Sequence, residues 1–152
     1  MEKLKFCKIQ SNAKFEDKEL YNAGYDLYAL QPVDVTDDTT LTLMPGEIVL
    51  IHTGIKLAIP EGFYGRIAER SSTGSKGFST RAGVIDCSYR GEIKIAVNNT
   101  SANTITHDLK KAIAQIIIEK YESLEIKELL KDDFDSLTTS RGDKGFGSTD
   151  KQ

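Results

Sequence analysis

The chain has 152 residues, which fits one domain better than two and is long enough to bury a core without a disulfide or metal staple. Its 20 basic residues against 23 acidic give a net charge of −3, which argues against broad nucleic-acid binding through a basic face. Two cysteines, Cys7 and Cys87, cannot make a disulfide framework or a four-ligand zinc site, so a reducing, cytoplasmic setting is expected.

No apolar run approaches the roughly 18 residues of a membrane span. The first residues, Met1-Glu2-Lys3-Leu4-Lys5, alternate charge with apolar side chains and do not read as a signal peptide. Asn12 to Leu20 carries mixed charge with weak apolar spacing and is a candidate helix. Ala23-Gly24-Tyr25-Asp26-Leu27-Tyr28-Ala29 sets one acid in an apolar, aromatic stretch. A buried acid needs a partner, so Asp26 either pairs with an arginine or faces a metal. Leu41 to Leu43 and Ile48 to Ile51 read as strands on either side of a Pro45-Gly46 turn. Gly54 to Ile59 reads as strand and ends at the turn Pro60-Glu61-Gly62.

Arginine is the informative residue in the next stretch. The chain has 15 lysines, which are scattered, but only five arginines, and four of these, Arg66, Arg70, Arg81 and Arg90, fall within 25 residues. Planar bidentate groups concentrated in one place suit phosphate oxygens, or they pair with local acids such as Glu69 and Glu92; spacing alone leaves both readings open. Arg70-Ser71-Ser72-Thr73-Gly74 offers a guanidinium, three hydroxyls and a flexible backbone, a donor-rich set that suits an anion better than a metal, although it is also ordinary loop composition. In Ala82-Gly83-Val84-Ile85-Asp86-Cys87-Ser88-Tyr89-Arg90-Gly91 one acid lies between an apolar run and an aromatic, with glycines that permit tight turns or close backbone approach. An aspartate that caps its own turn is the plainer reading of Asp86.

Glu92 to Val97 alternates apolar Ile93, Ile95 and Val97 with polar or small residues, the period of a half-buried strand. Asp108 to Lys120 has apolar residues at helical spacing, yet Ile116-Ile117-Ile118 is β-branched, and the segment is assigned to a strand. Ile, Val and Thr together number 33, so short strands with frequent turns point to a sandwich or barrel. His52 and His107 have no nucleophile motif beside them and take surface or structural roles. From Lys131 to Gln152 the chain is polar and glycine-rich, cannot build a core, and is expected to be a mobile arm.

Taken in order, these segments resemble the five motifs of the trimeric dUTPases, the deoxyuridine triphosphate nucleotidohydrolases. The motifs stand as AGYDLYA at 23–29, GRIAERSSTG at 65–74, AGVIDCSYRGE at 82–92, AIAQIII at 112–118 and RGDKGFGSTD at 141–150. The resemblance implies an all-β, distorted jelly-roll barrel over residues 1–135, an arm over 136–152 carrying the fifth motif, and a homotrimer with composite active sites. It implies hydrolysis of dUTP to dUMP and pyrophosphate with Mg²⁺, and neither stable nucleic-acid binding nor a membrane. Asp86 matches the acid that orients and deprotonates the attacking water. A carboxylate is a weak base at neutral pH, so positioning should carry much of the effect.

Tyr89 matches the residue that packs on the deoxyribose and leaves no room for a 2′-hydroxyl. The backbone of a hairpin over 83–94, with Gly83, Val84, Ile85 and Lys94, is expected to read the uracil edge. Arg70, Ser71, Ser72 and Gln115 match phosphate contacts, and Asp26 matches the acid that holds Mg²⁺ through water. In the arm, Phe146 is expected to stack on uracil while Arg141, Gly147, Ser148 and Thr149 clamp the terminal phosphates.

The chain departs from the family pattern at Glu69 and Ser72 in the second motif, at Lys110-Lys111 before the fourth, at Cys87-Ser88, and at Asp150. The related dCTP deaminases need a glutamate where this chain has Ala96, which argues against deamination. A dUTPase-like binding or regulatory module, and a β-barrel binder with no nucleotide role, are the other classes to separate by turnover.

Overall fold

The structure, a computed structural model, describes residues 3–31 and 39–143. By its contacts the chain divides into a body, Met1–Glu122, and a second unit, Ser123–Gln152. The body is all-β apart from one helical turn. Its strands are β1 (Lys5–Lys8), β2 (Gly24–Leu27), β3 (Thr40–Leu43), β4 (Ile48–Ala58), β5 (Phe63–Glu69), β6 (Phe78–Arg81), β7 (Val84–Ile85), β8 (Glu92–Asn99), β9 (Ile105–Asp108) and β10 (Ala114–Lys120), with the turn α1 (Ser71–Gly74) between β5 and β6. They form two four-stranded sheets, in the orders β1-β4-β8-β6 and β2-β10-β5-β7, and a two-stranded pair, β3-β9. The second unit holds one short helix, α2 (Lys131–Asp135).

The alternation over 92–97 is realised: Ile93, Ile95 and Val97 are buried on β8, while the residues between them are half-exposed. They meet Leu27, Ile55, Ile113 and Ile116 in one apolar core between the sheets. Ile48 to Ile51 and Gly54 to Ile59 prove to belong together, as β4 runs through 48–58 with a register irregularity between His52 and Lys56. Both glycine turns are present, with Gly46 at φ 78° and Gly62 at φ 81°, the left-handed region that favours glycine.

The segment 108–120 turns after Asp108 and becomes strand from Ala114. β10 is paired on both sides, Ala114–Ile117 with β2 and Ala114–Lys120 with β5; Ala114 and Ile116 enter the core, while Gln115, Ile117 and Glu119 on its other face are half-exposed. The helical spacing arises because Leu109, Ala112 and Ile113 belong to the turn before the strand and only Ile116 and Ile117 to β10 itself.

Two expectations need correction. Asn12 to Leu20 forms no helix. Ala13 and Phe15 are buried two positions apart, Phe15 packs between Phe6 and Tyr25 with ring centroids 5.1 and 5.8 Å away, and this alternation favours an extended path. Nor is 83–94 a paired hairpin. A turn closes with Tyr89 N–H donating to the Asp86 carbonyl at 3.0 Å, but β7 pairs with β5 and β8 pairs with β4 and β6. Each arm therefore belongs to a different sheet, and the turn bridges them.

Candidate functional site

The expected residues of the body fall into two groups. The first lines a cavity of about 520 Å³ that includes Asp26, Arg70, Ser71, Ser72 and Gln115. Asp26 is on β2, Gln115 lies opposite it on β10, and Arg70 leaves the end of β5. Arg70 Nε donates to Asp26 Oδ1 at 2.9 Å, and its Nη1 donates to the Ala112 carbonyl at 3.3 Å. Both partners of the ion pair are about one-third exposed or more, so its worth is positional more than energetic. The Thr73 hydroxyl donates to the Arg70 carbonyl and accepts from its N–H, which closes the α1 turn and leaves Ser71 and Ser72 exposed to the cavity. Gln115 Nε2 donates to the Glu69 carbonyl at 2.8 Å. Gly24 makes room for that side chain, since a Cβ there would sit 2.3 Å from Gln115 Oε1.

Glu69 turns away from this cavity. Its Oε1 accepts from Thr80 N–H at 2.5 Å and from the Thr80 hydroxyl at 3.0 Å. Desolvation would raise its pKa, but those hydrogen bonds outweigh it and hold the carboxyl below its ordinary range. The charge that departs from the family pattern is thus spent on the unpaired edge of β6.

The second group lines a cavity of about 250 Å³: Val84, Ile85, Asp86, Tyr89, Glu92 and Lys94. Asp86 is exposed, as is Tyr89. Gly83 approaches β5 closely, with its carbonyl accepting from Ile67 N–H at 2.8 Å, and a Cβ on it would lie 2.7 Å from the Ile67 carbonyl oxygen. Asp86, Cys87 and Ser88 also border a cavity of about 500 Å³ with Tyr64 and Tyr121.

The register separates the two groups. Gly65 pairs with Ile85, so Asp86 stands at the start of β5, beside Tyr64. Arg70 follows the other end of the same strand, six residues on, or about 20 Å at the rise of an extended chain. No residue lines both cavities.

Arg141 belongs to the second unit and is exposed; Phe146, Gly147, Ser148 and Thr149 lie outside the described residues. His107 is structural, as expected. It is buried against Phe78, its Nε2 lies 3.2 Å from the Lys111 carbonyl, and burial pushes its pKa down. The sequence reading did not find Lys18, Tyr21 and Asn22 at the first cavity. They come from an irregular segment whose long-range placement no local pattern marks.

A family model described as dUTPase matches residues 13–150. The "Deoxyuridine 5'-triphosphate nucleotidohydrolase" of Debaryomyces hansenii is 39% identical over 132 residues, 86% of this chain and 76% of that protein. Its namesake in Variola virus is 38% identical over 147 residues, 96% of this chain and 92% of that protein. Among solved structures, the dUTPase of Staphylococcus bacteriophage 80alpha with dUpNHpp matches with TM-score 0.79 at 24% identity, over 98% of this chain and 99% of that one. The dUTPase of phage phi11 of S. aureus, described with a structural Mg(II) ion, matches with TM-score 0.71 at 23% identity, over 84% of this chain and 97% of that one. The chain belongs to the dUTPase family.

Proposed function

We propose that this chain hydrolyses dUTP to dUMP and pyrophosphate, at sites assembled between copies of itself in a homotrimer. Such an activity limits uracil in DNA and supplies dUMP for dTMP synthesis. The observation that carries the assembly is the separation of about 20 Å along β5 between Asp86 and Arg70, far more than one triphosphate spans. The two groups have complementary chemistry, one a nucleoside-sized cavity with an exposed acid and the other a polar cavity where Lys18, Arg70, Ser71, Ser72 and Gln115 offer donors beside the acids Glu16, Asp17, Glu19 and Asp26. A symmetric assembly brings the Asp86 side of one copy to the Arg70 side of the next.

In that composite site Asp86 orients a water and takes its proton as the oxygen attacks the α-phosphorus in line. The bond to the bridging oxygen breaks, and pyrophosphate leaves. Arg70, Ser71, Ser72 and Gln115 neutralise and orient the phosphates. Tyr89 packs on the deoxyribose, and Gly83, Val84, Ile85 and Lys94 border the base. Residues 136–152 act as an arm that follows the domain over 1–135 and serves a composite site, with Phe146 on uracil and Arg141, Gly147, Ser148 and Thr149 on the terminal phosphates.

The residues fit a hydrated Mg²⁺ better than a bare one. Asp26 is a half-exposed carboxylate at the first cavity, which Glu16, Asp17 and Glu19 also line, and among the described residues no group of three or more acids, histidines or cysteines is placed to hold a metal. Mg²⁺ keeps several waters and takes phosphate oxygens readily, so Asp26 would hold it through water. The ion would supply charge neutralisation on the triphosphate.

Among the described residues no helix is long and apolar enough to cross a membrane. The two free cysteines, Cys7 exposed and Cys87 half-buried, support a reducing cytoplasm as the place of action.

The test is pyrophosphate release from dUTP, dCTP, dTTP and UTP with Mg²⁺, beside an Asp86→Asn control. Release from dUTP alone, lost in the control, is expected. Binding of dUTP without release would make the chain a nucleotide-binding module instead.

A further inference from the structure

Tyr89 is braced by Glu92, a residue of the same cavity lining that the proposed chemistry does not use. Its hydroxyl donates to the backbone carbonyl of Glu92 at 3.1 Å. Its ring lies over Gly91, where a Cβ would sit 2.2 Å from Tyr89 Oη and 2.4 Å from Cζ. The ring keeps this pose only if residues 91 and 92 hold their place.

Glu92 holds it through its side chain. Oε1 accepts from Gly54 N–H at 2.9 Å, and Oε2 lies 2.8 Å from His52 Nδ1. Both partners are on β4, where the ladder with β8 slips between His52 and Lys56. Gly54 has φ +69°, and a Cβ there would come within 2.8 Å of Leu30 Cδ1. The slip turns the Gly54 N–H toward the Glu92 carboxylate, which would otherwise leave a half-buried donor unmet. Glu92 therefore ties the irregular step of β4 to the strand start on which the Tyr89 ring rests. Its side chain is only 17% exposed, which suits an anchor more than a surface charge. The hydrogen bonds outweigh desolvation, and Glu92 stays ionised below the ordinary carboxylate range.

We propose that Glu92 is a positioning residue for sugar selection: by capping the β4 step at Gly54 it fixes the Glu92 carbonyl and Gly91 against which Tyr89 is held, and so sets how strongly a 2′-hydroxyl is refused. The proposal rests on the reading of Tyr89 as the wall beside the deoxyribose. Glu92 itself touches no reacting atom and acts through Tyr89.

The experiment measures kcat/KM for dUTP and UTP, and Kd for dUMP and UMP by calorimetry, in wild type, Glu92→Gln, Glu92→Ala, Tyr89→Phe and the Tyr89→Phe/Glu92→Ala double variant. The dUTP:UTP preference is expected to fall about fivefold in Glu92→Ala, the scale of one neutral hydrogen bond. Glu92→Gln, which keeps an acceptor for Gly54, recovers most of it. Tyr89→Phe shows a loss of the same size, and the double variant adds little to either, as for residues in one network. A preference unchanged in Glu92→Ala overturns the proposal, even if the melting temperature falls. So do additive losses in the double variant. If Glu92→Ala does not fold, an undiminished preference in Tyr89→Phe overturns it equally. Wild type that binds neither nucleotide defeats the functional reading, and the brace with it. Binding without turnover still reads the brace through the dUMP:UMP ratio.

Discussion

Glu69 offers a sharp test of how the first cavity is supported. Its carboxylate caps Thr80 on β6, an edge strand of the sheet β1-β4-β8-β6, and its carbonyl takes the Gln115 amide. Glu69→Ala removes both bonds from Thr80 at once. A hydrogen bond to a charged group is worth about 1.5–3 kcal/mol, the half-buried setting favours the low end, and two donors sharing Oε1 count for less than their sum, so about 2 kcal/mol is expected for the pair. For a body of this size that is a fall of roughly 6–10 °C in Tm, with Glu69→Gln losing about half as much. The assay is thermal denaturation at one protein concentration, from pH 7.5 down to pH 3. The folded carboxyl lies below its ordinary value of 4.5, so the unfolded chain binds more protons between the two. The contribution is therefore full above the ordinary value and fades as pH falls through the folded one. The gap between wild type and Glu69→Gln should close in that window. An unchanged Tm at pH 7.5, or a gap that widens on acidification, would refute the reasoning. A rise in dUTP turnover in Glu69→Gln would show instead that the charge opposes the phosphates.

Gly24→Ala should force Gln115 out of its pose, because the new Cβ would meet Gln115 Oε1 at 2.3 Å and Gln115 Cβ at 3.0 Å. Overpacking of this kind costs about 1–3 kcal/mol, read by chemical denaturation, and kcat/KM for dUTP should drop with it. If Asp26 holds a hydrated Mg²⁺ as proposed, Asp26→Asn weakens that hold along with the pairing to Arg70, and the Mg²⁺ concentration for half-maximal activity should rise several-fold in a titration.

Much of the fold was legible because β8 is solvated on alternate residues, and its pattern Ile93, Ile95, Val97 survives into the structure. β10 was harder to read, because apolar residues of the preceding turn extend its pattern and the unbroken run Ile116-Ile117-Ile118 reads as either element. Asn12 to Leu20 misled because charge at irregular spacing says little about a path set by Ala13 and Phe15 entering the core. The pairing of Asp26 with Arg70 was one of two readings open at the sequence level, and the distance of 2.9 Å shows it directly. The brace at Glu92 was not legible, since the need for it arises from a ladder slip 38 residues away at Gly54. The division into two groups was equally hidden. Asp86 and Arg70, from motifs that are neighbours in sequence, end up at opposite ends of β5 because its antiparallel partner β7 runs backward along it.

That division can be tested by subunit complementation. Asp86→Asn and Arg70→Ala proteins are prepared separately, each with little dUTP hydrolysis, then unfolded together and refolded as an equal mixture. If sites form between copies, about one quarter of them regain both intact groups by random assortment, and pyrophosphate release from dUTP returns to that fraction of wild type. If Asp86 and Arg70 act within one copy, no mixture recovers activity, and the account of a composite site is wrong.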